Sequence, residues 1–156
     1  MDKPQLYDDL ARQLAALIAG EPDQVANAAN MAALVYRGLP DLNWAGFYFA
    51  RSGQLVLGPF QGKPACVRID WGKGVCGTAA SRGETVLVPD IHEFPGHIAC
   101  DPDSSAELVL PLIEGGRVLG VFDLDSPVFD RFDADDQAGC ERLVAILLAE
   151  QRRHTG

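Results

Sequence analysis

Apolar residues recur at helical spacing at the start of the chain, at Leu6, Leu10, Leu14, Leu17 and Ile18. With Pro4 suited to a first turn and Gly20 to a stop, this spacing predicts a helix. A second helix is predicted from near Pro22 to Gly38-Leu39-Pro40, with the acids Glu21 and Asp23 at its positive end. Its expected apolar face is Val25, Ala28, Ala29, Ala32 and Val35. The period then falls to two. Asn43–Arg51 and Gln54–Phe60 read as strands joined at Ser52-Gly53, a hairpin signal. Ile69–Gly74 is rich in turn residues, Gly74–Arg82 reads as a short helix and Glu84–Val88 as a short strand. Residues 89–105 hold Pro89, Pro95, Gly96 and Pro102 without periodicity, and an irregular stretch of that length in a compact domain usually carries function. A second hairpin follows: Glu107–Ile113, the turn Glu114-Gly115-Gly116, and Arg117–Leu124. A closing helix is predicted from Asp133 to Arg153, with Asp133 as N-cap and Cys140, Leu143, Val144, Leu147 and Leu148 on one face.

These elements predict an α+β fold: a central antiparallel sheet with the N- and C-terminal helices packed on one face and loops on the other. With 156 residues and no repeat or linker, one domain spanning 1–156 is expected. Charge narrows the function. Thirteen Lys+Arg stand against 22 Asp+Glu, a formal net charge of −9, which argues against nucleic acid and anionic membrane surfaces as partners. The longest compact apolar run, Leu143–Ala149, is far short of the ~18 residues of a spanning helix. Met1–Asp9 lacks the basic and apolar blocks of a secretory signal, so a cytoplasmic location is expected. In that reducing compartment the four cysteines are expected to be free, catalytic or metal-bound.

The cysteines stand at 66, 76, 100 and 140, at intervals too long for a paired metal motif. His97 and Cys100 are close enough in sequence to share a metal, but no second pair supports them, so no metal site is expected. Cys100 lies in the irregular segment, where a reactive thiol and an inert one are both compatible with its position. Cys66 also lies in turn-rich sequence, and two loop cysteines permit a reversible disulfide if the fold brings them together. Cys76 falls in the first turn of the short helix, where the helix dipole can depress a thiol pKa; packing as a small buried residue is the alternative. Cys140 is expected in the core.

Alternation along Arg117–Asp125 places Leu119, Val121, Asp123 and Asp125 on one side and Val118, Gly120, Phe122 and Leu124 on the other. Across the hairpin, Glu107 starts the strand that lies beside the end carrying Asp123 and Asp125. The three acids are therefore expected at one end of the sheet, as a site or as a solvated strand end. Carboxyl groups packed together retain protons, and such a cluster can bind a cation or donate a proton. It would also raise, not lower, the pKa of a nearby thiol. On the first strand Trp44 and Tyr48 share a face opposite Ala45, Phe47 and Phe49, as a pocket wall or as core.

Asn43-Trp44-Ala45-Gly46-Phe47-Tyr48, Gly58-Pro59-Phe60-Gln61-Gly62, Ala65-Cys66, Gly72-Lys73-Gly74-Val75-Cys76-Gly77, His97-Ile98-Ala99-Cys100-Asp101, Glu107 and Val121-Phe122-Asp123-Leu124-Asp125-Ser126-Pro127 together resemble the free methionine-(R)-sulfoxide reductases. The resemblance runs from Leu6 to about Leu148. It implies a GAF fold and thioredoxin-dependent reduction of free L-methionine-(R)-S-oxide, with no metal or organic cofactor. Cys100 matches the family's catalytic cysteine, which would become a sulfenic acid. Cys66 matches the recycling cysteine, which would condense with it to a disulfide. Cys76 matches a third, possible auxiliary thiol, and Cys140 lies outside the pattern. The resemblance implies that Trp44 packs on the substrate methyl group with Tyr48 nearby. It also implies that Glu107, Asp123 and Asp125 hold the ammonium and hydrogen-bond the sulfoxide oxygen, with Glu107 in a catalytic role. By analogy with other GAF domains a homodimer through the terminal helices is expected. The alternatives are a non-catalytic GAF sensor of a small ligand and a thiol redox switch; neither requires the Cys66/Cys100 pair to turn over.

Overall fold

The computed structural model describes residues 1–97 and 101–155. In chain order the elements are α1 (Lys3–Ile18), α2 (Gln24–Gly38), β1 (Trp44–Arg51), β2 (Gln54–Gly62), β3 (Arg68–Asp70), α3 (Gly74–Arg82), β4 (Val86–Val88), β5 (Ala106–Glu114), β6 (Arg117–Ser126) and α4 (Ala134–His154). A single 3₁₀ turn, Ile91–Glu93, interrupts the irregular segment. The helix starts follow from capping. Asp2, Asp23 and Asp133 each accept backbone N–H groups at the head of α1, α2 and α4. At α4 the side chain of Asp136 reaches back to the Asp133 N–H and closes a capping box. Loss of such a cap costs about 1 kcal/mol.

The six strands form one sheet in the order β3-β2-β1-β6-β5-β4, with every neighbouring pair antiparallel. Its two long hairpins turn tightly. Ser52 and Gly53 carry φ of +50° and +81°, and Gly115 and Gly116 carry +57° and +74°. Two consecutive positive φ values match the twist of the flanking strands, and glycine reaches them without a Cβ penalty.

The helices α2 and α4 lie on one face of the sheet, and α1 packs across them. Leu10, Leu14, Met31, Val35, Leu143 and Leu147 meet Phe47, Leu108, Leu110, Phe122 and Leu124 there. The Phe47 and Phe122 rings lie 4.7 Å apart across the β1/β6 pair, a contact worth about 1 kcal/mol beyond simple burial. The other face is not covered by loops alone. Here α3 packs Val75, Cys76, Ala79 and Ala80 against Tyr48, Leu55, Val109 and Val121.

Four further expectations are corrected. Val25 and Ala29 are exposed, and the buried face of α2 is Asn27, Ala28, Met31, Ala32 and Val35; Val25 sits in the first turn, ahead of the contact with the sheet. Leu17 lies at the edge of the α1 stripe and is also exposed. Arg68–Asp70 is a strand, paired with Val56–Gln54, so Ile69 and Asp70 of the turn-rich Ile69–Gly74 stretch are extended instead. Finally, β6 does not alternate throughout. The β5/β6 register shifts at Leu112/Ile113, which pairs Leu112 with Gly120 and Ile113 with Val118. Leu119 is the extra residue of that bulge, so it packs with the helix-side core and Val118 with the opposite one, the reverse of simple alternation.

Candidate functional site

Three strands carry the site side by side. In the β1/β6/β5 register Trp44 pairs with Asp125, and Asp125 pairs with Glu107. Two residues further in, Gly46 pairs with Asp123, and Asp123 with Val109. Trp44, Asp123, Asp125 and Glu107 therefore lie together on the face that carries α3, at one end of the sheet. They line a pocket with an empty volume of about 590 Å³. Tyr48, Cys76, Lys63, Lys73, His97 and Asp101 complete much of its wall.

The aromatic wall is fixed by packing. Trp44 stacks on Phe60 at 5.2 Å and on Tyr48 at 5.9 Å between ring centroids. Gly46 makes this possible, because a Cβ there would sit 2.3 Å from the Phe60 Cβ and 2.8 Å from the Trp44 ring. Both aromatic polar atoms hold the adjoining β2–β3 loop. Trp44 Nε1 donates to the carbonyl oxygen of Lys63 at 3.1 Å, and the Tyr48 hydroxyl donates to that of Cys66 at 2.8 Å. Burial, reinforced by Asp123, raises the Tyr48 pKa, so the phenol remains a donor. The loop bearing Cys66 is thus anchored on β1 by two side chains that also form the pocket. Cys66 is disulfide-bonded, whereas Cys76 and Cys140 carry free thiols. Cys100 lies outside the described residues.

The segment after Cys100 is tied to the same end of β1. Asn43 Nδ2 donates to Asp101 Oδ2 at 3.1 Å and to Ser104 Oγ at 3.0 Å. Lys63 Nζ meets Asp103 at 2.6 Å and bridges the two loops. Asn43, Lys63 and Asp101 were not singled out as site residues from sequence. They are polar loop residues, and what distinguishes them is pairing across 40 or more positions.

Asp123 is buried, and Glu107 and Asp125 are half-buried beside it. Burial raises the carboxyl pKa of Glu107, Asp123 and Asp125 well above the ordinary range. The mutual charge of the three carboxyls adds to this: Asp123 acts on Glu107, Asp125 on Asp123, and Glu107 on Asp125. The scale of the repulsion decides their state. Two unit charges about 4 Å apart at an effective dielectric of 20 repel by about 4 kcal/mol. No Lys, Arg or His forms an ion pair with any of the three among the described residues. The cluster therefore holds its protons to higher pH than ordinary carboxyls do, and Asp123 Oδ1 is buried with no hydrogen-bond partner.

Cys76 reaches the same place from α3. Its Sγ lies 3.7 Å from Glu107 Oε2. One ligand atom each from Cys76, Glu107 and Asp123 falls within 4.8 Å of the others, a spacing that a small cation can bridge. The helix position does not depress this thiol. Burial first, and then the charges of Asp123 and Glu107, push its pKa well above the ordinary value. Cys140 lies fully buried on the far face, its Sγ 3.7 Å from the Tyr7 hydroxyl, and burial pushes its pKa up to about 12. It is a core residue, as expected. His97, which also lines the pocket, is held below the ordinary histidine pKa by burial and by His92, so it is neutral at neutral pH.

A family model described as a GAF domain matches residues 21–147. The free methionine-R-sulfoxide reductase of Escherichia coli (strain K12) is 52% identical over 147 residues, covering 94% of this chain and 89% of the relative. Protein YtsP of Bacillus subtilis (strain 168) is 56% identical over 138 residues, 87% of this chain and 85% of the relative. The X-ray structure of free methionine-R-sulfoxide reductase from Neisseria meningitidis in complex with its substrate matches with a TM-score of 0.95. It is 42% identical and covers 99% of this chain and 93% of that one.

Proposed function

The chain belongs to the free methionine-R-sulfoxide reductase family, within the GAF fold, and from this premise we propose that it reduces free L-methionine-(R)-S-oxide to L-methionine. The observation that carries the reading is an acid cluster under an aromatic wall that, among the described residues, no basic side chain pairs with. Asp123 is a buried carboxyl and Glu107 and Asp125 are half-buried ones without a cation beside them, and the α-ammonium of a free amino acid supplies one. Trp44, flanked by Phe60 and Tyr48, offers a flat apolar surface for the methyl group on sulfur. Glu107, kept protonated by its surroundings, hydrogen-bonds the sulfoxide oxygen and makes the sulfur electrophilic.

The covalent steps fall to Cys100 and Cys66. The Cys100 thiolate attacks the sulfoxide sulfur. The oxygen passes to Cys100 as a sulfenic acid, and methionine leaves. The Cys66 thiol condenses with the sulfenic acid, forming a disulfide and releasing water. A dithiol reductant, which we assign as thioredoxin, exchanges with the disulfide and restores both thiols. The disulfide-bonded state of Cys66 and its place beside the pocket support this division of roles. Cys76 serves as an auxiliary pocket thiol. We further assign a single domain over 1–156, a cytoplasmic location, and a homodimer formed through the terminal helices. Exposed Leu17 on α1 supports the last of these, and a concentration-independent monomer mass in light scattering would remove it.

The deciding assay couples NADPH oxidation to thioredoxin reductase, thioredoxin and each sulfoxide epimer. Turnover of the free R epimer alone is expected. Cys100→Ser is expected to release no methionine even in a single turnover. Cys66→Ser is expected to release about one methionine per enzyme and then stall. Substantial single-turnover activity in Cys100→Ser would overturn the assignment of the nucleophile. Thiol counts that do not fall on adding substrate would favour a sensor.

A further inference from the structure

Cys76 is not needed for the two-cysteine cycle, yet its thiol is buried against two acids of the pocket. Sγ and Glu107 Oε2 stand 3.7 Å apart. Tetrahedral zinc, with bonds of about 2.3 Å to sulfur and about 2.1 Å to oxygen, separates those two donors by about 3.6 Å. Asp123 supplies a third donor within 4.8 Å of both, and its Oδ1 is buried without any partner. One thiol and two carboxyls is a borderline-soft donor set. It suits zinc or cadmium and is too poor in oxygen for calcium or magnesium. Three protein ligands leave one position open to the pocket, the form of an exchangeable site and not of a closed structural one.

We propose that Cys76, Glu107 and Asp123 bind one thiophilic divalent cation, with zinc as the representative, and that this cation and the substrate ammonium exclude each other. On ligation the Cys76 thiol and any protonated carboxyl give their protons to solvent, and no redox step is involved. The consequence is a reductase whose pocket is closed by free zinc. The binding claim stands on the donor geometry alone, and the exclusion claim rests on the reductase reading.

The test uses the full chain with Cys66 and Cys100 both replaced by Ser, which removes the redox pair and leaves Cys76 and Cys140 as its thiols. Cobalt(II) is the probe, because a thiolate-to-cobalt charge-transfer band in the near ultraviolet reports sulfur ligation directly. One equivalent is expected to bind with that band, and zinc is expected to displace it. Adding Cys76→Ser is expected to abolish the band. Adding Asp123→Asn is expected to weaken binding by at least about tenfold. Adding Cys140→Ser is expected to leave binding unchanged. Free methionine sulfoxide is expected to lower the apparent cobalt affinity in proportion to its concentration. No band, or a band that survives Cys76→Ser, overturns the site. A band that saturating methionine sulfoxide leaves untouched overturns the exclusion, provided calorimetry shows that the sulfoxide binds the metal-free variant. If calorimetry shows no such binding, the reductase reading fails instead, and the band alone decides the metal site.

Discussion

Asp136 and Asp123 are both almost wholly buried, on opposite sides of the sheet, and their surroundings differ in kind. Around Asp136 every demand is met. The Tyr7 hydroxyl donates to one oxygen at 2.7 Å. Lys3 Nζ at 2.7 Å, Arg131 at 3.4 Å and the Asp133 N–H at 3.0 Å donate to the other. Around Asp123, among the described residues, stand further acids, the Cys76 thiol and the Tyr48 phenol, and one oxygen has no partner. Both groups lose their hydration. Only the first recovers it from the protein, and that network ties α1 to the start of α4. A fold does not need an uncompensated group of the second kind. Such a group is stable in use only when a ligand completes it, which is why the acid cluster, and not the better-connected network, marks the site.

The largest effect expected from this contrast is on stability at the satisfied site. Asp136→Ala removes the capping box, the ion pairs to Lys3 and Arg131 and the acceptor of the Tyr7 hydroxyl, while Lys3 keeps Asp133 and Arg131 keeps the Pro40 carbonyl. Breaking a buried ion pair costs about 3–5 kcal/mol. The lower end is expected, since Lys3 keeps 34% of its side chain in water. Urea unfolding should show the loss, while kcat/KM of the remaining folded protein should be unchanged. A fall in kcat/KM at full folding would mean that the two clusters are coupled through the sheet, and the contrast would fail.

The second effect is on discrimination at the unsatisfied site. N-acetylmethionine sulfoxide has a neutral amide where the free amino acid has an ammonium. Losing a charge-assisted contact costs about 1.5–3 kcal/mol, or about ten- to a hundredfold in kcat/KM, and the stranded acids add to this. Asp125→Asn should narrow the gap by slowing the free substrate. Glu107→Gln should lower kcat, because an amide is a poor proton donor. Equal kcat/KM for the two substrates would show that the acids do not read the ammonium.

How far these regions are legible in sequence differs in the same way. The strand faces of β1 follow from alternation, and the convergence of Glu107 with Asp125 follows from alternation plus a two-residue glycine turn. Both are local rules. The rules fail at the Leu119 bulge, where an inserted residue leaves no local signature. They also miss β3, which is three residues long and held by pairing with β2. Cys76 shows the limit most clearly. Its place in a first turn is local, and it suggests a depressed pKa. The charges around it come from strands 31 or more positions away and, after burial, push the pKa the other way. The network at Asp136 reaches Lys3 and Tyr7, 133 and 129 positions away, and those links have no sequence signal.

The smallest effect is expected from protons alone, in the absence of ligand. Carboxyls of the unfolded chain ionise near pH 4, whereas Glu107, Asp123 and Asp125 hold their protons to higher pH in the folded protein. Above about pH 4 the native state therefore binds more protons than the unfolded chain, and the cluster's contribution to stability falls as pH rises through the folded values. His97 works in the opposite sense below about pH 6.5, because its lowered pKa leaves the unfolded chain the better proton acceptor. Asp133, lowered to about 2 mainly by its hydrogen bond to Lys3, adds stability that is lost only as pH falls toward that value. Comparing the wild type with Asp123→Asn isolates the cluster from both. Between about pH 7 and 8.5, above the histidine range, Tm of the unliganded wild type should fall more steeply than that of the variant. Adding free methionine should flatten the wild-type slope, since its ammonium compensates the charge that develops. Identical slopes in the two proteins would mean that Asp123 is already ionised and stabilised by some group within the fold. The distinction between a cluster completed by the protein and one completed by a ligand would then be lost.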